Sequence, residues 1–202
     1  MILEDDPYFY VQFQRPYVPS YLSMDVDGRV IRFDSFSKLI SSGIRLGFVS
    51  GPEPIINKLA LHMQTSVMHA SGLSQVVLLK VLQKMGYNGF EKHAAEVAKF
   101  YEEKRDQCLE AARKHLTGLA EWSTPTGGMF LWLKLLNVED SFRMITVKAP
   151  EKEVLFVPGS AFMVDDTKPC PFVRASYSNV TAEQMDKAFE RLAELIREEQ
   201  KS

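Results

Sequence analysis

From Glu91 to His115 the chain holds one helical stripe without a single glycine or proline. Ala94, Val97, Tyr101, Cys108, Leu109 and Ala112 fall on one face, charged residues lie between them, and Gly118 stands just beyond. At about 1.5 Å per residue such a helix is longer than one small core can use. It predicts a connector between two domains, bounded as 1–90 for the first, 91–116 for the helix and 117–202 for the second. With 202 residues, 46% of them hydrophobic, the chain has enough apolar side chains to fill a core in each.

The segments on either side differ in rhythm. Before the helix, Ile2-Leu3 reads as the last residues of a buried strand, with Glu4-Asp5-Asp6-Pro7 as the turn that leaves it. A strand nearly over at its second residue has no visible beginning, so the chain reads as starting in the middle of a domain. Val30-Ile31-Arg32-Phe33 and Arg45-Leu46-Gly47-Phe48-Val49 are further strands, and Pro54 can open a helix through Ile55, Ile56, Leu59 and Ala60. Residues 73–85 are apolar almost all round, which predicts a buried helix.

Past the connector, Met129 to Leu133, Val154 to Val157 and Val173 to Tyr177 read as strands. Thr181 and Gln184 fit a capping box for a closing helix whose stripe runs from Met185 to Ile196. The stretch 138–152 is ambiguous, because Thr146, Val147 and Pro150 spoil a helix reading. The predicted architecture is a mixed α/β part followed by a smaller α+β part.

Several classes of function fall away. Lys plus Arg number 24 against 26 Asp plus Glu, so no basic surplus invites nucleic acid. No apolar run approaches the length of a membrane span, and no membrane partner is expected. Cys108 and Cys170 are too few and too far apart for a disulfide framework or a zinc ribbon, which favours a reducing compartment. His62 and His69 have no third ligand nearby, so no metal is expected.

Three groups of residues remain for chemistry. Asp34-Ser35-Phe36-Ser37-Lys38 follows a strand and leads through Ser41-Ser42-Gly43 to Arg45 and Gly47. A lysine on such a turn can act as a nucleophile, and hydroxyls with an arginine can hold a phosphate by charge-assisted hydrogen bonds. The same residues also make an ordinary Ser-rich surface turn. Asp5 and Tyr8 flank Pro7; an acid at a strand end can pair with a protonated ring nitrogen, or simply shape a turn. Arg174 sits within an apolar strand pattern and needs an anion partner, either a protein carboxylate or a substrate carboxylate.

Taken in order, Asp5-Asp6-Pro7-Tyr8, Asp34 to Lys38 with Arg45-Leu46-Gly47, Gly127 to Trp132, Pro158 to Phe162 and Arg174 to Ser178 resemble the class I pyridoxal-phosphate aminotransferases of fold type I. Ser23 to Val30 and Leu116 to Trp122 are most similar to the branch acting on kynurenine and 2-aminoadipate. The resemblance implies an α/β fold: part of a fold type I large domain, then an α+β small C-terminal domain. It implies pyridoxal 5′-phosphate as cofactor, amino-acid and 2-oxo-acid substrates such as 2-oxoglutarate, ping-pong transfer, and a homodimer in the cytoplasm or mitochondrial matrix.

Residue by residue, the resemblance makes Lys38 the lysine that forms the Schiff base and moves the proton. Asp5 pairs with the ring nitrogen, Tyr8 bonds the ring hydroxyl, and Ser35, Ser37 and Arg45 hold the phosphate. Arg174 grips the substrate α-carboxylate. The chain matches the C-terminal half of that family; the other half supplies the stacking aromatic residue and further phosphate ligands. Two other readings stand beside the enzyme: a ligand-sensing aminotransferase-like domain of a transcriptional regulator, and a non-catalytic fragment.

Overall fold

The computed structural model of the protein describes residues 1–201. They divide into two compact units, Met1–Lys99 and the residues from Phe100 onward. In the first unit, β1 (Ile2–Asp5), β2 (Val30–Ser35) and β3 (Gly47–Ser50) form one sheet in that order. β1 and β2 are parallel, with Asp5 beside Phe33, and β3 returns antiparallel with Gly47 opposite Ser35. Glu4 and Asp5 therefore prolong the first strand where the sequence predicts a turn. The reason is a buried cation: the Glu4 carboxylate meets Arg32 at 3.3 Å and also accepts the N–H groups of Tyr21 and Leu22. Asp25 gathers the turn into β2, accepting from the N–H groups of Asp27, Arg29 and Val30 around Gly28 at φ +68°.

Helix α1 (Glu53–Thr65) carries Pro54 in its first turn, where a missing N–H costs nothing. Helix α2 (Gly72–Leu116) is two helices joined at Gly86, whose φ of +64° breaks the helical path. Its first arm is not buried as predicted. Leu78 is covered, but Leu73, Val76, Val77 and Leu79 are exposed. The arm packs on one side only, with Leu78 and Leu82 turned toward Phe36 and Leu46 around an open cavity of about 490 Å³. An apolar circumference cannot be covered from one side. The second arm continues through Lys99 into the second unit.

In the second unit, β4 (Ala120–Trp122), β5 (Phe130–Leu135), β6 (Val157–Pro158) and β7 (Phe172–Ser176) form an antiparallel sheet in the order β4-β5-β7-β6. Leu131, Leu133 and Val173 from the sheet are fully buried, as are Leu192, Leu195 and Ile196 from α4 (Ala182–Glu199). The Thr181–Gln184 capping box is formed in both directions. Residues 154–156 do not join β6. Val154 donates its N–H back to the Ala149 carbonyl and Glu153 adopts φ +54°, so the backbone is closing a helical turn there. That turn is α3 (Ala149–Glu151), preceded by a π-helical stretch, Met144–Lys148. The Ala149 N–H reaches the Met144 carbonyl, a wide turn directly before Pro150, which has no N–H to donate.

Cys108 and Cys170 are both buried free thiols. Burial pushes the Cys108 thiol from its ordinary 9.0 to about 12. A rise of that size leaves about a thousandth of the usual thiolate at pH 8. Alkylation of Cys108 in the native protein should therefore be slower than in denaturant by a factor on the order of a thousand. Peptide mapping after timed iodoacetamide labelling measures it, and equal rates would show that the second unit opens readily.

Candidate active site

Parallel β1 and β2 end at the same edge of their sheet, the place where open α/β sheets bind ligands. β1 delivers Asp5 and then Tyr8 across the Pro7 turn; β2 delivers Ser35 and then the turn bearing Ser37 and Lys38. The Lys38 Nζ lies 5.7 Å from the centroid of the Tyr8 ring. The lysine turn is tied at three points. Ile40 and Ser41 both donate N–H to the Phe36 carbonyl, and the Phe36 N–H goes to the Leu46 carbonyl across the loop. His93 Nε2, from α2, donates to the carbonyl of buried Leu39 at 2.8 Å.

The serines and Arg45 form a shallow cup. The Ser37 N–H bonds Ser35 Oγ at 3.2 Å, and Arg45 Nη1 reaches Ser37 Oγ at 3.5 Å. Arg45 does not belong to a strand as the sequence predicts. It sits in the left-handed region at φ +53°, closing the short helical turn Ser42–Ile44, and β3 begins at Gly47. That conformation lets its exposed guanidinium turn back over the serines, with a second bond to the Ser42 carbonyl at 3.2 Å. Hydroxyls, an exposed guanidinium and backbone N–H groups are an oxyanion's natural donors.

Gly47 explains the short spacing after Arg45. A Cβ there would lie 2.6 Å from the Asp34 carbonyl oxygen, so only glycine lets β3 approach the strand that leads to Lys38. Gly47→Ala should cost roughly 1–3 kcal/mol in a denaturant melt, the usual penalty for overpacking against backbone. An unchanged midpoint would mean that the strands part without strain.

Asp5 is set apart by the alternation of its strand. Glu4, Asp6 and Asp34 all turn to one face, where Arg32 takes Glu4 at 3.3 Å, Asp6 at 3.5 Å and Asp34 through paired bonds of 2.9 Å. Asp5 turns to the other face with Ser35. Among the described residues its exposed carboxylate has neither a hydrogen bond nor an ion pair. Asp6 is different in kind: burial pushes its carboxyl up while the Arg32 charge pulls it down. Sequence reasoning missed Arg32 and His93. Arg32 carried the signal that singled out Arg174, a cation inside an apolar strand.

Arg174 belongs to the second unit, on β7 between Trp132 of β5 and Val157 of β6. Its guanidinium lies 4.1 Å from the Phe130 ring centroid and 4.6 Å from that of Phe162. No carboxylate pairs with it among the described residues, and its buried Nε has no hydrogen-bond partner. No cluster that could hold a metal ion occurs among the described residues, and no described helix is long and apolar enough to cross a membrane.

This chain is similar to known proteins. The kynurenine/alpha-aminoadipate aminotransferase, mitochondrial, of Bos taurus is 50% identical over 198 residues, covering 98% of this chain and 47% of its own. The chain thus spans about half the length of the curated relatives it matches. The Pyrococcus horikoshii kynurenine aminotransferase, solved with PMP, with KYN as substrates and KYA as products, superposes with a TM-score of 0.90. It is 33% identical, over all of this chain and 49% of that one. LysN, the alpha-aminoadipate aminotransferase of Thermus thermophilus complexed with N-(5′-phosphopyridoxyl)-L-leucine, superposes at 0.88 with 26% identity, over 98% of this chain and 50% of its own. The α/β fold is that of the fold type I aminotransferases. The model of aminotransferase class I and II spans residues 6–192, from Asp6 just after β1 to the core of α4, and the chain belongs to that family.

Proposed function

We propose that the full-length protein is a pyridoxal-phosphate-dependent aminotransferase that exchanges amino groups between an amino acid of the 2-aminoadipate or kynurenine kind and 2-oxoglutarate. The observation that carries this is the meeting of Lys38, Tyr8 and an uncommitted Asp5 at one sheet end, beside a cup of Ser35, Ser37 and Arg45. Those residues fit the cofactor by type: an amine to bind a carbonyl, an anion for a ring nitrogen, a phenol for a ring hydroxyl, and oxyanion donors for a phosphate. Pyridoxal phosphate, when bound, supplies an electron sink for the pair left when a proton leaves the substrate Cα.

The chain's own residues do the rest. Lys38 would hold the cofactor through its amine and would carry a proton at the substrate Cα. The Asp5 carboxylate would face the ring nitrogen and favour its protonated form. Tyr8 donates to the ring hydroxyl, and Ser35, Ser37 and Arg45 hold the phosphate. Arg174, with a guanidinium that no carboxylate among the described residues claims, would receive the substrate α-carboxylate as a fork.

The proposal includes a homodimer. The name of the Bos taurus relative supports a mitochondrial location. A direct test incubates the full-length protein and pyridoxal phosphate with aminoadipate or kynurenine plus 2-oxoglutarate, and follows glutamate. Glutamate formation that needs both substrates is the expected result. Cofactor binding with no amino transfer from any amino acid offered would favour the ligand-sensing alternative instead.

A further inference from the structure

Among the described residues, every partner of the Arg32 side chain is the immediate neighbour of a proposed site residue. Glu4 and Asp6 flank Asp5, Phe9 follows Tyr8, and Asp34 precedes Ser35 on the strand that leads to Lys38. The strand period turns the partners to one face and Asp5 with Ser35 to the other. We infer that Arg32 is a positioning residue, a clamp behind the sheet that sets Asp5 and Tyr8 in register with the Lys38 turn.

Its build suits that task. The guanidinium is 7% exposed, makes paired 2.9 Å bonds to Asp34, and lies 4.6 Å from the Phe9 ring centroid. The Asp34 carboxylate holds the guanidinium more firmly protonated than usual, against the desolvation of its site. One cation on β2 thus holds Asp34 of its own strand and, through Glu4 and Asp6, the end of β1. Glu4 extends the clamp further, because the same carboxylate fixes the backbone at Tyr21 and Leu22. A lysine would keep the charge but not the fork, and could not span three carboxylates and a ring at once. Three buried or half-buried carboxylates around one guanidinium are also a poor choice for stability alone, since burial costs each of them its hydration.

The inference rests on the proposed roles of Asp5 and Lys38. If the clamp loosens, Asp5 withdraws from the ring nitrogen, which then binds its proton less firmly. One positive charge fewer near Lys38 Nζ means that the proton there is held to higher pH. The test uses the full-length, cofactor-loaded protein as Arg32→Lys and as Asp34→Asn, the second being isosteric and the milder risk to folding. The substrate-free visible absorption is titrated against pH, a measurement that reads only folded, loaded protein, and steady-state kinetics are run beside it. The expected result in both variants is an upward shift of the spectral midpoint. A kcat lower by roughly tenfold to a hundredfold should accompany it, the scale of an ångström-sized misplacement. KM for the amino acid should stay within about twofold, because Arg174 is untouched.

A wild-type midpoint with a wild-type kcat in both variants would overturn the proposal. So would a fall in thermal stability with the midpoint unmoved, since the cluster would then only hold the sheet together. Lys38→Ala run in parallel separates the two levels: if it keeps the visible absorption and turnover, the site reading itself fails, whatever Arg32 does.

Discussion

Lys38→Ala in the full-length protein should abolish the visible absorption of the covalently held cofactor and, with it, turnover. The expectation follows from two duties placed on one amine. As the attachment point it is the only lysine on the turn that β2 leads into, 5.7 Å from the Tyr8 ring. As the acid–base group it should contribute roughly 10²–10⁴ in rate, the usual return from a well-placed proton carrier. Alanine removes both at once, so the loss should be at least that large. Asp5, Tyr8, Ser37 and Arg45 are untouched by the change, and the turn is held by bonds from Phe36, Leu46 and His93 that do not involve the lysine side chain. Cofactor should therefore still bind, reversibly and without the covalent absorption band, which equilibrium dialysis can follow. Turnover at the wild-type rate in Lys38→Ala would remove Lys38 from the chemistry and return its turn to an ordinary Ser-rich loop.

The sequence made some of this legible for definite physical reasons. An uninterrupted stripe from Ala94 to Ala112 can only be a helix, and Thr181 with Gln184 can hardly be other than a helix start; both are found. Lys38 and Arg45 were visible because small hydroxyl residues punctuate the chain there. What alternation does to a run of acids was harder to see. Glu4-Asp5-Asp6 looks like one polar turn, yet the strand continues through Glu4 and Asp5, and Glu4 and Asp6 turn to Arg32 while Asp5 faces the other way. Only the buried position of Arg32 decides this, and no local pattern announces three carboxylates from two strands converging on one cation. The same blindness to long-range partners explains Val154: its β-branched run looks like a strand, but its N–H is already spent on Ala149. The apolar arm 72–85 fails differently. Its composition reports how much surface it can bury, and the described residues cover only the Leu78 side.

Arg174 offers the second large effect, and it discriminates between binding and structure. Its environment is apolar, with rings on either side, a buried Nε and no protein anion among the described residues. A guanidinium kept that way gains from an incoming carboxylate and has little else to gain from. Arg174→Leu should lower kcat/KM by roughly 2–5 kcal/mol, the cost of truncating one side of a desolvated charge pair. At about 1.4 kcal/mol per decade that is roughly thirtyfold to several thousandfold. The loss should be similar for the amino acid and for the 2-oxo acid, because both present the same α-carboxylate. Arg174→Lys should also be impaired, since it keeps the charge but gives up the planar fork and its stacking on Phe130 and Phe162. Stability should respond in the opposite sense: leucine removes an unpaired buried donor from β7, so the melting temperature of the leucine variant should hold or rise. A protein that loses stability but keeps its kcat/KM for both substrates would show that the arginine serves the sheet and not the substrate.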